Sequence, residues 1–340
     1  MIDPLRALVA RLMRGPIADR SVAVAERAAR WRPGCLAILT YHRVDDPAAR
    51  PDLMPSLVSA TPAAFAEQMA MLARHYQPVS MADVLDALDT PERIPPRAVL
   101  VTFDDAYRDL ASNAWPVMRS LGIPATVFVP TAFAADPAVP FWWDRLWAAT
   151  RASDRREPLA SPIGPLDVRT PAARRRTIAQ VRTWLKTIDH DEAMAHVDGL
   201  VAALGDPGEP IRPAVLGWDE LRRLAGEGLA VAPHSRHHPL LERVPLDRAV
   251  EEIRGSFDDL AREVGTVAPV LAYPSGAHGG MAVEAARRAG MVLAVTTTRG
   301  GNDLRTADRL RLRRINVGIR AHAPLIRAEL VWAGTLAATR

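Results

Sequence analysis

The chain has 340 residues, is 49% hydrophobic with a mean hydropathy of −0.03, and carries a formal charge of +4 with a pI of about 9.8. This length accommodates one large α/β domain or two ordinary ones, and arginines scattered along the chain argue against a nucleic-acid partner, which calls for a clustered basic face. Cys35 is the only cysteine, so an internal disulfide and a thiolate metal cluster are both excluded.

At the N-terminus, Asp3, Arg6, Arg11 and Arg14 interrupt the apolar stretch, leaving no signal-peptide core. Leu5, Leu8, Val9 and Leu12 fall at helical spacing. They predict a short basic amphipathic helix, either docked on its own domain or lying on a membrane through residues 1–14. No stretch approaches a membrane-spanning length, and the expected location is the cytoplasm. The expected organisation is an N-terminal helical segment over 1–30, a main domain over 31–320 and a C-terminal tail over 321–340.

Within the main domain, apolar runs alternate with amphipathic helical patterns, which argues for βα units around a parallel sheet or barrel. Leu36–Tyr41 reads as the first strand. Thr61-Pro62 reads as a helix start, N-cap followed by proline, with Phe65, Met69 and Leu72 on the buried face. Ala98–Phe103 is a strand, residues 110–121 are helical, and Ala125–Val129 is a strand. After Trp218–Ala225, closed by Gly226 and Gly228, comes the strand Leu229–Ala232. Helices over Leu246–Val264 and Ala282–Ala289 precede strands over Pro269–Tyr273 and Met291–Val295. The total of about seven strands suits a barrel or a doubly wound sheet. Residues 136–213 break the rhythm with FWWDRLWAAT, an arginine- and proline-rich stretch, and helical patterns around 178–188 and 193–204. They read as a helical insertion too short of core residues to stand alone.

Two motifs carry the chemistry. Thr102-Phe103-Asp104-Asp105 ends an apolar strand with adjacent carboxylates, where α/β folds place their active sites. Their like charges are tolerable when a cation neutralises one member or one is protonated. Adjacent residues at a strand end point apart, so one carboxylate can ligate while the other stays free as a base; the plain alternative is a helix N-cap. His234-Ser235-Arg236-His237-His238-Pro239 follows a second apolar strand. His234 and His238 have the spacing of one helical turn, which suits a single metal, although Pro239 opposes a continuing helix. One carboxylate and two histidines make a facial metal triad with open positions.

TFDDAY at 102–107, HSRHHP at 234–239 and TYHRV at 40–44 resemble, in order and spacing, the polysaccharide deacetylase family, the carbohydrate esterase group related to the chitooligosaccharide deacetylase of nodulation. The resemblance runs over about residues 36–316. It implies a distorted (β/α) barrel of about seven parallel strands and a divalent metal, most commonly Zn2+, with Co2+, Ni2+ or Fe2+ as alternatives. By motif position it makes Asp104 the general base and Asp105, His234 and His238 the metal ligands. LAYPSG at 271–276 is similar to a third family motif, but Ala272 stands where many members have an arginine supporting the base, and Ser275 where an aromatic residue often offers its backbone N–H to the oxyanion. A backbone donor survives that change. Arg314, in LRRINV, is a candidate replacement for the missing arginine, and His42, His278 and His322 are candidate acids.

The implied reaction is removal of N-acetyl groups from an N-acetylated glycan. Four alternatives stand beside it: a deformylase or other C–N amidohydrolase acting on a lipid-linked sugar or cyclic imide, a non-haem iron oxygenase, a glycan-binding module without catalysis, and a plain α/β domain with capped helices. The oxygenase leaves Asp104 without a task. Trp142, Trp143 and Trp147 read either as a sugar-stacking surface or as core at helical spacing.

Overall fold

The computed structural model describes residues 31–205 and 214–338 together with Val24 and Glu26. The amphipathic helix expected over 1–14 lies outside the described residues. Among the described residues, no helix is long and apolar enough to cross a membrane.

Seven parallel strands surround one axis: β1 Cys35–Tyr41, β2 Ala98–Phe103, β3 Ala125–Val129, β4 Ala230–Pro233, β5 Val270–Ala272, β6 Leu293–Arg299 and β7 Leu312–Asn316. They follow one another in chain order, and β7 returns beside β1. Between β4 and β5 the ladder is interrupted, and a single bond from Ala268 N–H to Val231 O at 3.1 Å spans the gap. The barrel is therefore distorted and nearly closed.

Strand alternation fixes what faces the lumen. Leu36, Ile38, Ala98, Leu100, Phe128 and Ala232 belong to one cluster with Val270, Ala272, Val295 and Leu312, drawn from every strand, and this fills the barrel. Their neighbours Leu39, Tyr41, Val101 and Phe103 pack outward against Phe65, Met69 and Leu72. Those three residues lie on the helix Pro62–His75, which starts as the sequence predicts: Thr61 Oγ1 accepts Ala64 N–H at 3.3 Å and proline occupies the first turn. The helix expected over 110–121 instead opens with a π-turn, Leu110–Ala114, before Trp115–Ser120. Pro116 has no N–H to continue the regular ladder there.

The insertion holds three helices, Trp142–Ala152, Pro171–Leu185 and His190–Leu204. Leu146, Ile178, Val181 and Val197 join the same core cluster as the outer barrel layer, so the segment is packed onto the domain. Residues 323–338, expected as part of a tail, form a helix, and its Leu325, Ile326 and Leu330 are buried in that cluster. Gln68 Nε2 anchors its start through Ala321 O at 2.6 Å.

Candidate active site

Inward register continues past the strand ends. Thr40, Thr102 and Thr126 pair across β1, β2 and β3 above the apolar lumen, and Asp104 is the next inward position on β2. Its N–H extends the ladder to Tyr41 O at 2.9 Å. At Asp105 and Ala106 the backbone turns left-handed, with φ of 69° and 49°, a conformation that costs a non-glycine residue about 1–2 kcal/mol. That turn sends the two carboxylates apart. The loops after β4 and β5 show the same feature at Ser235 (63°), His238 (58°) and Ser275 (57°). Such strain persists only where the surroundings enforce it, and it gathers at functional sites.

Asp104 faces Arg314. The guanidinium donates to both carboxylate oxygens, at 2.8 and 2.7 Å, and its Nε donates to Thr296 O at 2.7 Å. Arg314 is fully buried, projecting inward from β7. Burial resists the charge on Asp104, but Arg314 outweighs it and the pKa falls below the usual carboxylate range. The small Ala272 side chain also faces the lumen, and the arginine that motif lacks is supplied from β7.

Asp105 faces the two histidines. Its Oδ1 lies 3.5 Å from His234 Nε2 and 3.4 Å from His238 Nε2, and this buried oxygen has no hydrogen-bond partner. His234 Nδ1 lies 2.7 Å from Ala272 O; a carbonyl only accepts, so Nδ1 carries the proton and the Nε2 lone pair faces Asp105. One ligand atom from each of the three residues lies within 4.8 Å of the others. Bonds of about 2.0–2.1 Å at a tetrahedral metal place neighbouring ligand atoms roughly 3.3–3.4 Å apart, so the donor set, its spacing and the orphaned oxygen fit a divalent cation. Burial opposes charge on Asp105, yet the histidines hold its pKa down. Burial pushes His238 down to about 3, leaving a neutral imidazole. For His234 burial also opposes charge, but Asp105 prevails and the pKa rises.

The HSRHHP loop achieves the two-histidine convergence without a helix. Ser235 Oγ accepts His238 N–H at 3.1 Å, while Glu252 accepts the N–H groups of Arg236 and His237 at 3.0 and 2.8 Å. Arg236 is clamped to Asp259 at 2.9 and 3.1 Å. His237 is turned outward, its Nδ1 2.8 Å from Glu252, which removes it from the metal group.

Of the three histidines read as candidate acids, His42 lies close enough for its charge to act on both Asp104 and Asp105. His278 Nδ1 is 2.6 Å from Gly276 O, and His322 Nδ1 accepts Leu325 N–H at 3.3 Å, capping the last helix. Ser275 lines a cavity with His238 and Trp142. Trp143 and Trp147 are buried. Trp143 stacks on Phe141 and meets the His238 ring edge-on at 5.0 Å, with its Nε1 donating to Tyr107 Oη at 3.1 Å. The insertion thus builds a wall of the site. Unassigned by the sequence reading was the buried group beneath Tyr107, where Arg43 lies 3.7 Å over the ring, 3.4 Å from Asp109 and 3.7 Å from Asp144.

Comparison with known proteins places the chain in a family. The family model described as Polysaccharide deacetylase matches residues 92–294. The poly-beta-1,6-N-acetyl-D-glucosamine N-deacetylase of Escherichia coli K12 is 32% identical over 122 residues, 36% of this chain but only 17% of the relative's length. Among solved structures, the Streptococcus pyogenes deacetylase PplD in complex with acetate aligns with a TM-score of 0.59 at 19% identity, covering 88% of this chain and 99% of that one. IcaB from Ammonifex degensii aligns at 0.55 with 17% identity, covering 88% and 98%. The BpsB deacetylase domain from Bordetella bronchiseptica aligns at 0.53 with 16% identity, covering 85% and 98%. These structural likenesses show the fold, and the family match spans more than half of the chain: it belongs to the polysaccharide deacetylase family.

Proposed function

We propose that the chain hydrolyses the N-acetyl group of an N-acetylated amino-sugar polymer. The observation that carries this reading is the division of labour at the end of β2: Asp105 is turned to the Nε2 atoms of two imidazoles while Asp104 is held beside them by Arg314. Asp105, His234 and His238 would hold a divalent cation, zinc by preference, which would supply Lewis acidity for the acetamide carbonyl and for water.

Asp104 takes the proton from the attacking water. Arg314 keeps that carboxylate ionised and fixes its orientation, so little reorganisation is needed at the moment of reaction. The water oxygen bonds to the carbonyl carbon, and the backbone N–H of Ser275 donates to the oxygen that gains charge. His42 delivers a proton to the nitrogen as the C–N bond breaks, releasing acetate and a free amine. His42 is chosen because its charge bears on both aspartates, whereas His278 is engaged with Gly276 O and His322 with Leu325 N–H.

The name of the Escherichia coli relative supplies the first substrate to test. Metal-loaded protein is expected to release acetate from β-1,6-linked N-acetylglucosamine oligomers, to stop on chelation, and to resume when zinc is returned. Absence of acetate from every N-acetylated oligosaccharide at full metal loading overturns the proposal.

A further inference from the structure

The helix Pro171–Leu185 contains no acidic residue, and Arg175, Arg182 and the adjoining Lys186 fall at i, i+7 and i+11, one stripe along its face. All three line a groove with Met54, Ser56 and Trp147. Lys186 also lines the cavity that holds His238 and Ser275, so it stands where the groove meets the active site. Arg182 is near enough for the charges of Asp105 and Asp144 to act on it.

Among the described residues, none of these cations is in direct contact with a carboxylate. Arginines on the helices Trp218–Gly226, Leu246–Glu263 and Gly280–Arg288 are neutralised by carboxylates one turn away. Among the described residues, no ion pair involves Arg175, Arg182 or Lys186, and the hydrogen bond of Arg182 goes to Ser56 Oγ at 3.0 Å. Burial lowers the pKa of both Arg182 and Lys186, and for Arg182 it outweighs the attraction of Asp105 and Asp144. Like charges one turn apart also destabilise a helix. An arrangement that costs stability and faces a groove beside the reacting centre is explained by a ligand.

We propose that this groove binds a phosphate or diphosphate group attached to the glycan substrate, positioning the adjacent N-acetyl sugar in the active site. Two partly buried cations with a third at the rim call for more than one negative charge, and a guanidinium fork beside an ammonium suits phosphoryl oxygens. Met54, Trp147 and Ile178 give the groove an apolar floor, which accommodates a lipid carried on the same phosphate. This inference rests on the reading of the chain as a glycan amidohydrolase.

The test is calorimetric titration of the metal-loaded full chain with N-acetylglucosamine, its 1-phosphate, and farnesyl diphospho-N-acetylglucosamine. The 1-phosphate is expected to bind at least tenfold more tightly than the neutral sugar, with an advantage that shrinks as salt rises. Arg182→Gln combined with Lys186→Gln is expected to erase the advantage, with metal content and melting temperature verifying the fold; Lys186→Glu alone provides the same reading should the pair fold poorly. A further gain from the farnesyl group identifies a lipid-linked source, and no gain identifies a polymer phosphate. Equal binding of neutral and phosphorylated sugars overturns the proposal. So does a phosphate advantage that survives the substitutions, because the phosphate then sits on the metal. Acetate release followed in parallel separates the two readings: phosphate-dependent binding without acetate supports the groove and removes the deacetylase, whereas acetate release without phosphate preference removes the groove alone.

Discussion

The left-handed backbone at Asp105 separates two carboxylates whose charges would otherwise repel, and their variants should fail differently. Asp104→Asn keeps size and shape but cannot take a proton, so metal content should stay near normal while turnover falls by about 100-fold or more. Asp105→Asn, His234→Ala and His238→Ala should lose metal first and activity in consequence, with partial rescue by excess metal. Metal analysis beside activity titration decides this: a metal-free Asp104→Asn that added metal restores would reverse the two roles. Asp144 offers a test by pH. Burial pushes its pKa from 3.8 up to about 6, so the folded protein binds this proton more tightly than the unfolded chain does. Below about pH 4 both states are protonated and the group is neutral to stability. Through the window from about 4 to 6 the folded state loses ground, by on the order of 3 kcal/mol once both states are ionised. Asp144→Asn should therefore raise the melting temperature of chelator-treated protein at pH 7.5, with a gain that fades towards pH 4. Arg43 keeps Asp109 at 3.4 Å in the variant. A lower melting temperature at pH 7.5 would mean that the Arg43 contact outweighs the desolvation.

Each loop of the site is braced by the element behind it, and the HSRHHP loop leans on the helix Leu246–Glu263. Gly255 of that helix faces the Arg236 guanidinium so closely that an added Cβ would overlap it. Gly255→Ala should therefore gain helix propensity, worth up to about 1 kcal/mol, yet displace Arg236 from Asp259. The expected outcome is weaker metal binding with little change in helix content; metal affinity equal to that of the parent would show that the loop holds itself. How much of this was legible depends on the range of the contacts. Continuous apolar runs marked the ends of β2 and β4 closely, so the residues of the candidate metal group could be read from TFDDAY and HSRHHP, while Arg314 in LRRINV was legible only as a candidate partner of Asp104. The approach of Trp143 to His238 joins residues 95 positions apart through an insertion whose packing follows no barrel rule, and no local pattern announces it. Nor does spacing reveal that His237, lying between two inward-facing histidines, is turned away by Glu252 across the loop.

Across the whole molecule, the outer barrel layer, the insertion and the final helix share one continuous core, so neither the insertion nor the final helix is a detachable appendage. The helix Ala323–Ala338 shows this most directly. It packs on β1 and on the helix Pro62–His75, the same elements that carry Tyr41 and position the strand end beside Asp104. Leu325, Ile326 and Leu330 are each 5% exposed or less, and full burial of such side chains contributes about 1.5–3 kcal/mol apiece. Arg327 adds an ion pair to Glu26, whose other partner is Tyr76. Together these terms approach the entire net stability of an ordinary domain, about 5–15 kcal/mol. A chain ending at His322 should consequently lose its cooperative thermal transition or aggregate, and should lose metal with it because β1 and β2 are no longer held. By contrast, Trp332 is 40% exposed and its ring lies under Arg299, so Trp332→Ala should shift the melting temperature by no more than a few degrees. Thermal melts and metal analysis of both variants test the claim, and a truncated chain that melts cooperatively with full metal content would show the helix to be dispensable.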